Sequence, residues 1–164
     1  MSRDMTTDTR ATKAATGDDH REYVSITVAG QLFGIPVLQV QDVLGPQRIT
    51  RIPLAPAEVA GSLNLRGRIV TAIDLRTRLR LPPLPEGQAG MSVVVDHGGE
   101  LYSVMVDSVG EVLSLSAETT ERNPATLDPI WRDVSGGIHR LDKTLLIVLD
   151  VARVLDFSAR AEAA

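Results

Sequence analysis

The sequence contains no cysteine and few aromatic residues. The absence of cysteine excludes disulfides, thiolate nucleophiles and cysteine-ligated metal sites, and it is compatible with a reducing compartment. Aromatic residues make up 3% of the 164 residues, which argues against stacking platforms for nucleic-acid bases. The formal net charge of -4 also opposes nucleic-acid binding, because such proteins normally carry a basic surface. We therefore expect no nucleic-acid partner.

Long hydrophobic runs are also missing from the sequence. No apolar run approaches the roughly 18 residues that a membrane-spanning helix needs. The N-terminal stretch MSRDMTTDTRATKAATGDDHRE lacks the apolar centre of a secretory signal. The chain is 43% hydrophobic and 23% charged, as is typical of globular proteins. These features predict a cytoplasmic protein without direct membrane insertion.

Composition divides the chain into two tails and two halves. Residues 1–21 contain no bulky aliphatic residue and are predicted to form a disordered tail. Strict alternation begins at YVSITV and predicts a half-buried strand at the start of a domain over residues 22–156. The stretch PPLPEGQAG predicts a linker at about 82–90, between a first lobe at about 22–81 and a second at about 91–156. Residues 157–164 are expected to be a flexible C-terminal tail.

The two halves resemble each other. Residues 30–44 lie over residues 99–113 at an offset of 69, with six of the fifteen positions identical. Residues 61–80 lie over residues 137–156 at an offset of 76. Two blocks in the same order indicate a degenerate tandem repeat. Each half has short strands separated by turn signals, which favours two small closed barrels because closure removes exposed strand edges.

Signatures of catalysis are absent from the sequence. His20, His97 and His139 lack metal-ligand spacing, and each is interpreted as a tail, surface or turn residue. The sequence has no GxSxG, Walker or GxGxxG motif. No catalytic residue, metal or cofactor is therefore predicted, and an enzyme of unknown type remains a distant alternative.

The stretch NLRGRIVTAIDL, residues 64–75, predicts a β-hairpin with Gly67 at a positive φ in the turn. Arginines concentrate there and just beyond it, so the sequence predicts one basic cluster. A solvated hairpin tip and helix face would explain such a cluster, as would a contact for an anion or an acidic protein. The sequence leaves both readings open for Arg66, Arg68, Arg76, Arg78 and Arg80.

RITRIPLAPAEVAGSLNLRGRIVTAIDLRTRL, residues 48–79, resembles the signature segment of the CheW family of bacterial chemotaxis coupling proteins. The resemblance continues in LFGIPVLQVQDVLG, VMVDSVGEVLSLSAE and SGGIHRLDKTLLIVLDVARVL, and covers about residues 22–156. It implies an all-β fold with short helices, built from two packed SH3-like five-stranded barrels.

The resemblance also implies a function in two-component signal transduction. Members of this family are non-enzymatic adaptors that couple transmembrane chemoreceptors, the methyl-accepting chemotaxis proteins, to the histidine kinase CheA. The expected partners are the cytoplasmic tip of the receptors and the regulatory domain of CheA, in arrays associated with the membrane. Alternatives are a scaffold of a non-flagellar chemosensory pathway and the adaptor half of a CheV-like protein, although the chain is too short for a receiver domain.

The family motif places its arginine at Arg66 and the following glycine at Gly67. The carboxylate expected to pair with Arg66 is Asp42, which is one methylene shorter than the usual glutamate. The shorter side chain predicts a longer or water-bridged ion pair. Thr71 stands where the family commonly has proline, and it restores a backbone N–H, so we expect little effect on the fold.

A groove between the barrels is the expected receptor site, because receptor tips are helical hairpins. Its candidate residues are Val37, Val40 and Val43, with Asp42 and Arg66 fixing the walls. Plain core packing explains the three valines equally well. The resemblance also implies that the regulatory domain of CheA is itself CheW-like. The contact surface for the kinase is therefore expected on the first barrel, because similar barrels can pack pseudosymmetrically.

Overall fold

A computed structural model describes residues 20–156 of the chain. The strands are β1 (His20–Val28), β2 (Gln31–Pro36), β3 (Val40–Leu44), β4 (Val59–Leu65), β5 (Arg68–Asp74), β6 (Met91–His97), β7 (Glu100–Val106), β8 (Ser108–Ser116), β9 (Thr120–Glu121), β10 (Ser135–Arg140) and β11 (Leu145–Leu149). The helices are α1 (Leu75–Arg78), α2 (Pro129–Val134) and α3 (Val151–Val154), with 3-10 turns at Val37–Gln39 and Ala117–Thr119.

The strands form two sheets, and the predicted all-β fold of two SH3-like barrels is confirmed. One sheet has five strands in the order β3-β6-β7-β5-β4. The other has six strands in the order β8-β1-β2-β11-β10-β9, because the two-residue strand β9 joins its outer edge. We call these the five-stranded and the six-stranded barrel.

The first strand begins earlier than predicted. Residues 20 and 21 were expected to belong to the disordered tail, but both pair with β8 in the register His20 to Ser116 and Arg21 to Leu115. Backbone hydrogen bonds along this edge order polar residues that the composition alone assigned to the tail. The remaining tail residues, 1–19 and 157–164, lie outside the described part of the chain.

The two barrels do not correspond to consecutive halves of the chain, so the predicted division into lobes 22–81 and 91–156 is wrong for the barrels. The β1–β2 hairpin pairs with β8 and, in parallel, with β11. The β6–β7 hairpin pairs with β3 and, in parallel, with β5. Each half therefore contributes its first hairpin to the barrel that contains the later strands of the other half. Alternating patterns predict strands and their buried faces but do not specify the partner strand.

The structure bears out the tandem repeat. A β-bulge interrupts β3 between Val40 and Asp42 where it faces β6, and a bulge interrupts the matching pairing of β8 with β1. A second pair of bulges lies at Gly61 and Gly137, whose φ angles are 151° and 139°. A Cβ atom at Gly61 would collide with the Thr50 carbonyl, so this bulge requires glycine.

The same two-fold repetition sets the starts of two helices. Asp74 accepts a hydrogen bond from the backbone N–H of Thr77 at the start of α1. Asp150, which matches Asp74 at the offset of 76, accepts one from the N–H of Arg153 at the start of α3. Side-chain caps of this kind satisfy N–H groups that have no partner within the helix.

The core connects the two barrels. The larger hydrophobic cluster combines residues of both sheets with the helices, and a smaller cluster fills the five-stranded barrel. Three consecutive valines of β6 are fully buried: Val93 and Val95 belong to the larger cluster and Val94 to the smaller one. The β6–β7 hairpin is thus buried on both faces, which explains the uninterrupted apolar run in its sequence.

Candidate protein-binding surface

The turn between β4 and β5 presents Arg66 at the tip of a two-residue hairpin loop. Leu65 pairs with Arg68, and the two loop residues Arg66 and Gly67 have φ angles of 52° and 87°. The Asn64 carboxamide oxygen accepts a hydrogen bond from the Gly67 N–H at 2.9 Å. Two successive positive φ angles define a type I′ turn, which matches the twist of the flanking strands. The predicted hairpin and the role of Gly67 are both confirmed.

Arg66 forms a direct ion pair with Asp42. Its Nη2 atom donates to Asp42 Oδ2 at 2.8 Å, so the predicted longer or water-bridged contact is wrong. The bulge before Asp42 sets the direction of the aspartate side chain, and the long side chain of Arg66 spans the distance to its carboxylate. Because β3 and β4 are the outer strands of their sheet, the pair spans the seam of the five-stranded barrel.

Two hydrogen bonds hold the Asp42 carboxylate in place. Besides the Arg66 contact, Asp42 Oδ1 accepts from the backbone N–H of Val43 at 2.8 Å. The hydrogen bond from Arg66, and then that from Val43, lower the pKa of Asp42 below its usual value. The Arg66 side chain itself remains 74% exposed, so most of the guanidinium is available to a partner.

The three candidate valines have different environments. Val37, in the 3-10 turn, and Val40, in β3, are half-buried and pack against the larger core cluster. Val43 is 39% exposed beside Asp42. Core packing therefore accounts for much of Val37 and Val40, whereas Val43 is open to a partner.

The repeat adds two residues that sequence reasoning missed at this surface. At the offset of 69, Val40 corresponds to Val109 and Val43 to Val112. Val109 packs against the core, while Val112 is 53% exposed. The sequence repeat could have identified both residues, because it aligns each of them with one of the candidate valines. The exposed valines of β3 and β8 form a repeat-related pair.

The ion pair has no counterpart in the other barrel. The positions that correspond to Asp42 and Arg66 hold Glu111 and Asp142, and two carboxylates cannot form such a pair. The barrels share a backbone plan, but their surface chemistry differs.

A second exposed apolar residue that the sequence did not single out is Leu38. It is 94% exposed on a cavity of about 820 Å³ in the six-stranded barrel, bordered also by Tyr23, Val37 and Val148. Nothing in the sequence distinguishes Leu38 from a core leucine, since exposure depends on the 3-10 turn that carries it.

The corresponding place in the other barrel contains a largely buried ion pair and a smaller cavity of about 350 Å³. Asp107, which aligns with Leu38, accepts hydrogen bonds from Arg76 at 2.8 and 2.7 Å and from the Ala29 N–H at 2.8 Å. Arg76 also donates to the Pro82 carbonyl, which fixes the start of the linker. The linker residue Leu84 borders the cavity at this point. The surface around Leu38 is therefore open to a partner, whereas the corresponding surface of the five-stranded barrel is occupied by the Arg76–Asp107 ion pair.

The predicted single cluster of arginines does not form. Arg66 pairs with Asp42, Arg76 pairs with Asp107, and Arg78 is buried. Arg68 and Arg80 are exposed. These arginines are close in the sequence, but some lie on the hairpin and the others on different sides of α1, so their side chains do not come together.

Two histidines differ from their prediction, because His20 lies in β1 and not in a tail, and His139 is not at the surface. His139 is buried inside the six-stranded barrel, with its ring 5.6 Å from that of Tyr23, because it lies on an inward position of β10. Burial lowers the pKa of His139 below 6.5, and the carboxylate of Glu121 acts in the opposite direction. Residues 20–156 contain no cluster of three or more potential metal-ligating His, Cys, Asp or Glu side chains. Within the same residues, no helix has the length and apolar character to cross a membrane.

Two interlocked SH3-like barrels with an exposed ion pair and exposed apolar residues define a protein-binding module. The family model described as the CheW-like domain matches residues 22–159, and the chain belongs to this family of chemotaxis adaptors and scaffolds.

Several known proteins resemble the chain over most of its length. It is 30% identical to chemotaxis protein CheW of Klebsiella aerogenes over 135 residues, which cover 82% of this chain and 81% of the relative. It is 28% identical to chemotaxis protein CheW of Treponema pallidum, with 88% of each chain covered. The crystal structure of scaffolding protein TtCheW from Thermoanaerobacter tengcongensis superposes with a TM-score of 0.74 at 26% identity, covering 83% of this chain and 92% of that chain.

Proposed function

We propose that this protein is a non-enzymatic adaptor that couples transmembrane chemoreceptors to the histidine kinase CheA. The observation that carries the proposal is the Asp42–Arg66 pair, which fixes an exposed guanidinium beside an exposed valine at the seam of one barrel. Family membership supplies the chemotaxis context.

The receptor surface is formed by β3 and β8. Val43 and Val112 are exposed apolar anchors, and Val40 and Val109 support them from the core. Binding energy in protein interfaces comes mainly from such apolar anchors inside a polar rim. A receptor helix that lays its apolar face on Val43 would meet the Asp42–Arg66 pair at the rim.

The kinase surface lies on the five-stranded barrel. Ile52 and Leu54, in the loop before β4, and Ile69, in β5, are exposed large aliphatic residues. Their exposure supports a contact between the five-stranded barrel, which contains β3, β4 and β5 of the first half, and the regulatory domain of CheA. Because that domain is expected to be CheW-like, similar barrels would pack against each other. The adaptor then works in the cytoplasm at membrane-associated receptor arrays.

Reconstitution tests the proposal directly. Receptor-bearing membranes, CheA and the full chain are combined, and kinase activity is measured with and without an attractant for the receptor. We expect the chain to place kinase activity under receptor control. Kinase activity that ignores both the chain and the attractant, while an established coupling protein restores control with the same components, would contradict the proposal.

A further inference from the structure

A polar cavity lies outside the proposed adaptor surfaces. It measures about 540 Å³ and lies beside α1, α2 and α3. Its lining contains three arginines and two aspartates, together with an asparagine and a proline. These residues are Arg78, Asn123, Pro129, Arg132, Asp133, Arg153 and Asp156.

Arg78 is the buried part of this lining. Its Nε atom donates to the Val154 carbonyl at 3.0 Å, and Nη2 donates to the Arg153 carbonyl at 2.9 Å and to Asp133 Oδ2 at 3.1 Å. The third nitrogen, Nη1, is buried and has no acceptor within residues 20–156. The Nη1 atom has almost no accessible surface, so Arg78 adds positive charge to the lining, and the donors to a ligand come from the other residues.

Two further guanidinium groups have donors to spare. Arg132 donates to the Leu127 carbonyl at 3.3 Å, and Arg153 donates to the Ser135 carbonyl at 3.0 Å. Arg153 also approaches Asp150 at the long distance of 3.8 Å. A guanidinium carries five N–H donors, so several remain for a ligand on each of these side chains.

The orientation of Asn123 adds a neutral donor. Its side-chain oxygen accepts a hydrogen bond from the Ser135 hydroxyl at 2.6 Å. That contact fixes which end of the carboxamide faces Ser135 and leaves its NH₂ group to donate elsewhere. The cavity therefore contains N–H donors on the elements before, within and after α2.

We propose that this cavity binds an oxyanion of the phosphate class. Three arginines against Asp133 and Asp156 give the lining a net formal charge of one positive, which favours an anion and disfavours a metal cation. A tetrahedral oxyanion accepts hydrogen bonds from several directions, whereas a carboxylate offers two oxygens in one plane. Donors from Arg132, Arg153 and the Asn123 amide suit the tetrahedral group, and arginine is well adapted to phosphate.

Titration of the full chain with inorganic phosphate tests this site. Ionic strength is held constant with chloride, and backbone amide signals are followed by NMR. We expect saturable shifts centred on Asn123, Arg132 and Arg153. Arg132→Gln and Arg153→Gln should each weaken binding about tenfold, as expected for the loss of a charge-assisted hydrogen bond. These arginines are exposed, so both variants are expected to fold.

Arg51→Gln is the matched control, because Arg51 is an exposed arginine in the loop before β4. Glycerol 3-phosphate provides a second arm: tighter binding than inorganic phosphate assigns the site to phosphorylated molecules, and equal binding assigns it to the free ion. The proposal is overturned if the shifts do not saturate, if Arg51→Gln has the same effect, or if acetate binds as well as phosphate.

Discussion

At the scale of single residues, Arg66 combines an unusual backbone with an accessible charge. Its φ of 52° lies in the left-handed region, which non-glycine residues adopt infrequently, and its side chain reaches across the barrel seam to Asp42. Arg66→Ala should leave the fold intact, since the side chain is mostly exposed and exposed ion pairs contribute little to stability. We expect the variant to recover markedly less CheA in co-sedimentation with receptor-bearing membranes.

Arg68→Ala provides the control for this change, because Arg68 is exposed in the same hairpin and starts β5. Recovery of CheA at the wild-type level by Arg66→Ala would contradict the proposed role. The double variant Asp42→Arg with Arg66→Asp then separates pairing from direct contact. Partial recovery relative to the single variants indicates that the ion pair itself shapes the surface, and no coupling indicates direct contact by Arg66 alone.

Arg76 and Asp107 form a different kind of pair, with side chains only 14% and 18% exposed. The two hydrogen bonds between them join α1 to the end of β7, and each residue also holds a backbone group of another segment. Arg76→Ala leaves the Asp107 carboxylate without its partner. We expect the free energy of unfolding to fall by about 2–3 kcal/mol, measured by urea denaturation.

The exposed pair of Arg140 with Glu121 serves as the comparison for Arg76. Its side chains are 61% and 43% exposed, so Arg140→Ala should cost less than about 1 kcal/mol. Equal destabilisation by the two variants would show that burial does not distinguish these pairs.

At the scale of elements, β9 and β10 are held together by a buried histidine. Thr119 donates its hydroxyl hydrogen to the Ser116 carbonyl, so its oxygen accepts from Nδ1–H of His139. Nε2 then accepts from the hydroxyl of Thr120 at 3.1 Å. Burial favours the neutral ring, whose proton this pattern assigns to Nδ1, and protonation of Nε2 would require the Thr120 hydroxyl to accept instead of donate.

This arrangement predicts that acid destabilises the six-stranded barrel. The unfolded chain binds a proton at His139 near pH 6.5, whereas the folded protein does so only at lower pH. Protons therefore favour the unfolded chain in this interval, and stability should decline as pH falls from about 6.5. Urea denaturation at pH 7.5 and 5.5 should show this decline for the wild type and for His97→Gln, whose histidine is exposed at the end of β6. His139→Gln should lose the pH-dependent component, and an unchanged pH profile in that variant would refute the assignment.

Elements differ in how far the sequence determines them. The alternation of Val24, Ile26 and Val28 predicts β1 because each apolar side chain faces the core. The same alternation does not identify β8 as the neighbour of β1, since pairing depends on contacts between residues far apart in the chain.

The candidate surface was predictable to a similar degree. The pair of Asp42 and Arg66 could be predicted from the family motif, although its length could not, because a bulge sets the direction of the shorter side chain. Leu38 could not be predicted, because its exposure arises from a short 3-10 turn in an otherwise apolar segment. Likewise, the sequence does not show that Arg78 is buried beneath α3.

At the scale of the whole molecule, neither barrel is complete without strands from both halves of the chain. Introducing a protease site between Glu86 and Gln88, in an exposed part of the linker, tests this interdependence. We expect the cleaved protein to elute as one complex in size-exclusion chromatography, because the two exchanged hairpins hold the fragments together. The fragments should separate in urea, and neither alone should retain a cooperative unfolding transition.

The protein that carries the protease site but has not been cleaved is the control for the added residues. Two fragments that elute separately and unfold cooperatively would show that each half folds by itself. That result would restore the division into two lobes on either side of the linker.

The exchange of hairpins also bears on how one chain could bind the two proposed partners. Two identical copies of either half, joined by the same exchange, would make a homodimer with two equivalent faces. A covalent tandem keeps that architecture but frees each copy to vary independently. The difference is already visible where Arg76 and Asp107, one residue from each copy, correspond to Ala152 and Leu38 at the equivalent place in the other barrel. A fused pseudo-dimer of this kind has a defined polarity, and an adaptor that must join unlike neighbours in a fixed order depends on such polarity.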